Sequence, residues 1–125
     1  MPIHTRKHCR ETPEPEDGTR ILTMRFWPRG VRRERFDAWM RELAPSAELL
    51  RWCWAEQEKP ALDEYIYEQT WRARYIDEMA AQKPLLDDLR RRHEAGETLT
   101  LLCTCHDPGR CHRTVLASLI LRTDR

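Results

Sequence analysis

No run of about eighteen consecutive apolar residues occurs in the chain, and this excludes a membrane-spanning helix. The opening Met1-Pro2-Ile3-His4-Thr5-Arg6-Lys7-His8 lacks the apolar core of a secretory signal, so a cytoplasmic protein with no membrane partner is expected. Net charge is nearly absent: 22 basic and 21 acidic residues leave +1 at pH 7. No global field therefore argues for a nucleic-acid partner. Internal repeats and low-complexity tracts are missing too, which removes solenoid and tail-like architectures. An even set of cysteines is also lacking. The five that occur, Cys9, Cys53, Cys103, Cys105 and Cys111, speak against a disulfide framework and for thiols, metal ligands or core packing.

What is present suits a small globule. A chain of 125 residues makes one domain, 1–125, with a real core. Hydrophobic residues make up 40% and charged residues 34%, and Trp, Leu and Ile recur throughout, which separates the chain from disordered sequences. Basic residues cluster locally. Six arginines fall between Arg25 and Arg41, and Arg90-Arg91-Arg92 stand in a row; such runs are more often a solvated face than a phosphate track.

The pattern predicts a short strand at Ile3 to Arg6, a Pro- and Gly-rich loop from Glu11 to Gly18, and a strand from Arg20 to Phe26 closed by Trp27-Pro28-Arg29-Gly30. Phe36, Trp39, Met40 and Leu43 recur at helical spacing, so a helix is expected over Arg32 to Leu43, ended by Pro45. Ser46 is placed to cap a helix carrying Leu49, Leu50 and Cys53. A long helix follows from Leu62 to Gln82, with Tyr65, Ile66, Tyr75, Ile76 and Met79 as its buried candidates. Pro84 and Gly96 bracket another, with Leu85, Leu86 and Leu89 on its apolar face. Thr98 to Cys105 alternates like a strand, His106-Asp107-Pro108-Gly109 reads as a turn, and Cys111 to Leu121 reads as a helix. Few strands among several helices imply an α/β fold with a small central sheet flanked by helices in two or three layers.

Two stretches resemble the domain-of-unknown-function family 488, the YeaO-like group. Arg20-Ile21-Leu22-Thr23-Met24-Arg25-Phe26-Trp27-Pro28-Arg29-Gly30 is similar to its strand and W-P-R-G turn, and Trp39-Met40-Arg41-Glu42-Leu43-Ala44-Pro45-Ser46 to its segment ending in L-A-P-S. Trp71-Arg72-Ala73-Arg74-Tyr75 and the closing strand–loop–helix follow in order and spacing, so the likeness covers nearly the whole chain. It implies a Rossmann-like α/β fold and no settled function. Met24 stands where YeaO-like chains usually carry an acidic residue. Cys103 with Cys111-His112-Arg113 resembles the cysteine-bearing branch of the wider family.

The densest chemistry lies between Cys103 and Arg113. In an open α/β sheet, ligands bind beyond the carboxyl ends of the strands. Alternation puts Leu99, Leu101, Cys103 and Cys105 on one face, so Cys103 is expected in the core and Cys105 at the crevice. The helix N-terminus near Arg110 or Cys111 offers unpaired N–H groups and a positive dipole end to an anion. A thiol there is activated, which makes Cys105 or Cys111 the candidate nucleophile, His106 or His112 the proton carrier, and Arg110 with Arg113 the anion clamp. The phosphotyrosine-phosphatase loop fails on spacing: only four residues separate Cys105 from Arg110, where that loop needs five.

Three functional readings follow. The first is a thiol-dependent enzyme, or an enzyme-like binder, taking a small anionic, phosphate-bearing ligand. The second is a metal or haem protein, with Zn or Fe held by Cys103, Cys105, Cys111 and His112; His106 lies in the same cluster, and His4, His8 and Cys9 could complete a site by folding back. The third is a binding module that touches nucleic acid through the Arg25 to Arg41 face, with Arg25, Arg29 and Trp27 offering charge and a stacking surface. Each residue also has a structural alternative. Cys103 serves as core, Trp27 and Pro28 close the core, Arg29 binds carbonyls, and Arg113 pairs with Asp107 or Glu97.

Overall fold

The structure, a computed structural model, describes residues 3–104 and 111–121. Four short strands, β1 (Ile3–His4), β2 (Thr19–Leu22), β3 (Ala38–Trp39) and β4 (Leu99–Leu102), pair in parallel in the order β1-β4-β2-β3. Ile21 lies level with Leu101 and Leu22 with Leu102, so the two central strands end side by side. The helices among the described residues are α1 (Ala47–Glu58), α2 (Glu64–Met79), α3 (Lys83–Glu94) and α4 (His112–Leu121).

Successive strand residues face opposite ways, and the two faces are covered differently. Ile21, Leu99 and Leu101 pack against Leu49 of α1, Trp71, Tyr75 and Met79 of α2, Leu86 and Leu89 of α3, and Val115, Leu116 and Ile120 of α4. Each fully buried Leu or Ile there contributes about 1.5–3 kcal/mol relative to its exposed state. Leu22 and Leu102 point the other way, into a smaller cluster with Cys9 that Met24, Trp27, Phe36 and Trp39 close. Helices thus cover one face and irregular chain the other, which selects the two-layer form of the α/β arrangement. All of Leu99, Thr100, Leu101 and Leu102 are buried. The threonine in this run does not face solvent; its hydroxyl donates to the Asp17 carbonyl at 2.6 Å.

Local chemistry sets the boundaries. Gly18 turns the chain into β2 with φ of 63°, and a Cβ there would come within 2.3 Å of the Thr98 carbonyl oxygen. Ser46 caps α1 by accepting from the Leu49 N–H at 3.0 Å, and Asp63 caps α2 by accepting from Ile66 at 2.9 Å. Pro84 sits in the first turn of α3.

Two expectations are corrected. Arg32 to Leu43 is not a helix: 3-10 turns at Arg33–Arg35 and Arg41–Leu43 flank β3. The Asp37 N–H donates to the Arg20 carbonyl and the Met40 N–H to the Leu22 carbonyl, both at 2.9 Å, which ties this segment to β2. The apolar residues then split, Phe36 and Trp39 going to the smaller cluster and Leu43 to the larger. In α2 the buried stripe is Trp71, Tyr75 and Met79, while Tyr65, Ile66 and Ile76 are exposed.

Candidate active site

The paired ends of β2 and β4 set the position of the site, at the side of the sheet where α/β folds bind ligands. Thr23 follows β2 and is pinned twice to Leu102, its N–H and its hydroxyl each donating to the Leu102 carbonyl at 3.0 Å. Cys103 follows β4 and is held from the other side, where it bridges to His8 and its carbonyl accepts from the Cys9 N–H at 2.9 Å. Cys111 immediately precedes α4, whose Val115, Leu116 and Ile120 anchor that helix in the core. The sulfurs of Cys103 and Cys111 and a ring nitrogen of His112 lie within 4.8 Å of one another, and all three residues are buried.

Hydrogen bonding settles which nitrogen of His112 carries the proton. Nε2 is 2.7 Å from the Thr23 carbonyl oxygen, which can only accept, so Nε2–H is the donor. The Thr23 hydroxyl, 3.1 Å from the same nitrogen, sends its own proton to Leu102. In the neutral ring Nδ1 then carries the lone pair, and it lies 3.5 Å from the Cys111 sulfur. Arg113 donates from Nε to that sulfur at 3.4 Å and from a second guanidinium nitrogen to the Lys7 carbonyl, with none of its surface exposed. The sulfur of Cys111 therefore sits between a base and a fixed cation, next to a helix N-terminus.

Tyr75 supplies a wall. Its ring meets the His112 ring edge-on at 5.5 Å and 65°, and its hydroxyl donates to the Leu43 carbonyl at 2.6 Å. Burial, with added repulsion from Cys111, Glu78 and Cys103, pushes that hydroxyl well above its ordinary pKa, so it stays protonated. Cys9 belongs to the opposite face of the sheet. Burial raises its thiol pKa, against an opposing pull from Arg10, Arg113 and Arg20.

The same three donors fit a metal ion. Zinc bonds of about 2.3 Å to sulfur and 2.0–2.1 Å to nitrogen set neighbouring tetrahedral ligands roughly 3.5–3.8 Å apart. The 3.5 Å between Cys111 and His112 meets that spacing, while the widest separation, within 4.8 Å, would have to close by about 1 Å. A carbonyl on the far nitrogen of the imidazole is also what orients metal-bound histidines.

Of the residues singled out in the sequence, the structure gathers Cys103, Cys111, His112 and Arg113. Cys105, His106 and Arg110 lie outside the described residues. Cys103 is buried as expected, but it faces the Cys111 and His112 donors as well as the core. Arg113 donates to a thiol and a backbone carbonyl, and Glu97 pairs with Arg92 at 2.6 Å; Asp107, the other partner expected for Arg113, lies outside the described residues. His4 and His8 are not in the donor cluster found among the described residues.

The W-P-R-G turn has structural contacts. Arg25 donates to the Pro45 and Ala44 carbonyls, each at 3.2 Å, which joins the W-P-R-G and L-A-P-S segments. The Trp27 indole N–H donates to Val31 at 2.8 Å, and its ring meets Phe36 and Trp39 edge-on at 5.5 and 5.2 Å. Arg29 is exposed, and its carbonyl accepts from Arg10 at 2.9 Å. Thr23, which orients His112, was missed: a β-branched residue near a strand end carries no sequence signal of such a role.

The family model described as "Active DUF488-N3 subclade" matches residues 3–124. An uncharacterized protein of Mycobacterium tuberculosis is 32% identical over 112 residues, covering 88% of this chain and 86% of that one. The uncharacterized protein YeaO of Escherichia coli is 31% identical over 116 residues, 89% of this chain and 90% of its own. No solved structure matches the chain.

Proposed function

The chain belongs to the DUF488 family, to which YeaO-like proteins also belong, and within it we propose a thiol-dependent enzyme whose nucleophile is Cys111. One observation carries this reading: the Cys111 sulfur lies 3.5 Å from a correctly tautomerised His112 and 3.4 Å from the guanidinium of Arg113. His112 Nδ1 removes the thiol proton, the Thr23 carbonyl holds the ring and stabilises the imidazolium, and Arg113 stabilises the thiolate. The thiolate attacks an electrophilic centre of the substrate, and the imidazolium returns the proton to the leaving group. Among the described residues, then, the helix end and Arg113 serve the protein's own anion, the thiolate. We assign the substrate's anionic, phosphate-bearing group to Arg110 and the remaining N–H groups at the start of α4.

Alkylation by iodoacetamide between pH 5.5 and 9, read residue by residue by peptide mass spectrometry, tests this. Cys111 should label fastest near pH 6.5, ahead of the half-buried Cys53, and inorganic phosphate should slow it. Slow labelling of Cys111 with the pH dependence of an ordinary thiol would remove the nucleophile role.

A second reading, a single Zn or Fe ion on Cys103, Cys111 and His112, is favoured by the 4.8 Å clustering of their donor atoms. Donors so close together and so buried suit one ion better than a haem. About one equivalent of metal in protein purified without chelator, lost from Cys111→Ser, would support it. The nucleic-acid reading gains nothing comparable, because Arg25 is engaged by backbone carbonyls and the Trp27 ring by two aromatic neighbours.

A further inference from the structure

We propose that Cys103 and Cys111 form a reversible disulfide, with Cys103 as the resolving thiol for an oxidised Cys111. The inference rests on the reading of Cys111 as the activated thiol and extends it to a modification of the same site. The two sulfurs lie within 4.8 Å of each other in a buried pocket. A disulfide needs about 2.05 Å, and side-chain rotation about χ1 covers a gap of that size. Neither residue lies inside a regular element: Cys103 is just past β4 and Cys111 just before α4. Bonding them closes the end of β4 onto the start of α4, without crossing the sheet. The other described thiols are placed elsewhere, Cys9 in the cluster on the opposite face and Cys53 on α1.

The polarity of the reaction follows from the neighbours of Cys111. Its thiolate, prepared by His112 and Arg113, attacks one oxygen of a hydroperoxide. The O–O bond breaks, and the departing alkoxide or hydroxide takes the proton that His112 had accepted, leaving Cys111 as a sulfenic acid. Cys103 then gives its proton to His112 and attacks the Cys111 sulfur. The S–O bond breaks, and hydroxide leaves as water with that proton. In sum, two thiols and a hydroperoxide give a disulfide, water and an alcohol, or a second water. A small dithiol reverses the change and is itself oxidised. While the bond stands, Cys111 can neither attack a substrate nor bind a metal, so the site is off under oxidising conditions.

The test treats full-length wild type and Cys103→Ala with hydrogen peroxide in the presence of dimedone, followed by non-reducing digestion and mass spectrometry; circular dichroism confirms that the variant is folded. Wild type should give a Cys103–Cys111 linked peptide that dithiothreitol removes, with little dimedone adduct. Cys103→Ala should give the adduct at Cys111, at least fivefold above wild type. An adduct in the variant with no Cys103 link in wild type overturns this inference alone, as does a Cys105–Cys111 link. No adduct at Cys111 in the variant removes the nucleophile reading, and this inference with it.

Discussion

Arg113 has no exposed surface, yet it places its Nε 3.4 Å from the sulfur of Cys111. Burying a guanidinium is costly unless something negative or strongly polar faces it. The Lys7 carbonyl accepts from one of its nitrogens, and the sulfur faces another. In the proposed mechanism Cys111 carries charge and Arg113 faces it. A neutral thiol is a weak acceptor, whereas a thiolate turns the contact into a charge-assisted bond.

Arg113→Met should therefore slow alkylation of Cys111 near pH 6.5 by about tenfold, because losing an adjacent opposite charge raises an acid's pKa by about one unit or more. Arg113→Lys should recover part of the rate, since it keeps the charge and loses the planar fork. The rate–pH profile separates this from general damage: a shifted midpoint marks lost thiolate stabilisation, and a uniformly faster reaction of every cysteine marks unfolding.

The Thr23 carbonyl, rather than the Thr23 side chain, is assigned the task of orienting His112. Thr23→Val should thus cost about 1 kcal/mol of stability, from the lost hydrogen bond of its hydroxyl to Leu102. It should leave the reactivity of Cys111 within about twofold of wild type. His112→Gln should lower the neutral-pH rate by roughly 10²-fold, the lower end of what a positioned base contributes. If Thr23→Val slows the thiol as much as His112→Gln does, the hydroxyl and not the carbonyl sets the tautomer.

What the sequence revealed of this fold depended on how local the determining physics is. The Ser46 cap and Pro84 in a first turn rest on nearest-neighbour chemistry and stand where the pattern puts them, while β4 takes only Leu99–Leu102 of the expected Thr98 to Cys105. Phe36, Trp39, Met40 and Leu43 look helical because their spacing is 3, 1 and 3. Tertiary contacts instead draw the chain into β3 and send Phe36 and Trp39 to the far side of the sheet. In α2, apolar residues occur all round the helix, so periodicity could not separate the buried Trp71 from the exposed Tyr65. The cluster of Cys103, Cys111, His112 and Arg113 was visible as a density of chemistry in one short segment. Its orienting partner Thr23 comes from 89 residues earlier in the chain, a pairing that only the sheet creates.

Ser46 joins two helices through one hydroxyl. It accepts from the Leu49 N–H to cap α1, and it donates to Glu78 of α2 at 2.5 Å, while its N–H donates to the other Glu78 oxygen at 2.9 Å. Ser46→Ala should cost about 1–2 kcal/mol, combining a lost cap with a lost charge-assisted bond. Glu78→Gln in the same background should then cost less than it does in wild type, by about 0.5 kcal/mol or more. Urea unfolding of both single variants and the double variant measures this, and strictly additive losses would show that the two groups are not coupled.

Stability should fall on the alkaline side, in two stages set by buried and half-buried neutral acids. Burial raises the thiols of Cys9 and Cys53, moves Tyr67 up to about 12, and pushes Tyr75 well above its usual value. Each of these groups has a higher pKa folded than unfolded. Its contribution is complete below the unfolded pKa and is lost as pH rises from there toward the folded value, because only the unfolded chain can release the proton easily. The cysteine part should therefore begin to fade near pH 8.5 and the tyrosine part near pH 10. Tyr75→Phe keeps the ring against His112 and removes the hydroxyl bonded to Leu43, so it should cost about 1 kcal/mol at pH 7. The deficit should shrink above pH 10, because the variant no longer has that proton to lose in the unfolded state. Urea midpoints for wild type and Tyr75→Phe at pH 7, 9 and 10.5 give the comparison. A deficit that stays constant across that range would mean that the Tyr75 hydroxyl ionises as readily in the folded protein as in the unfolded chain.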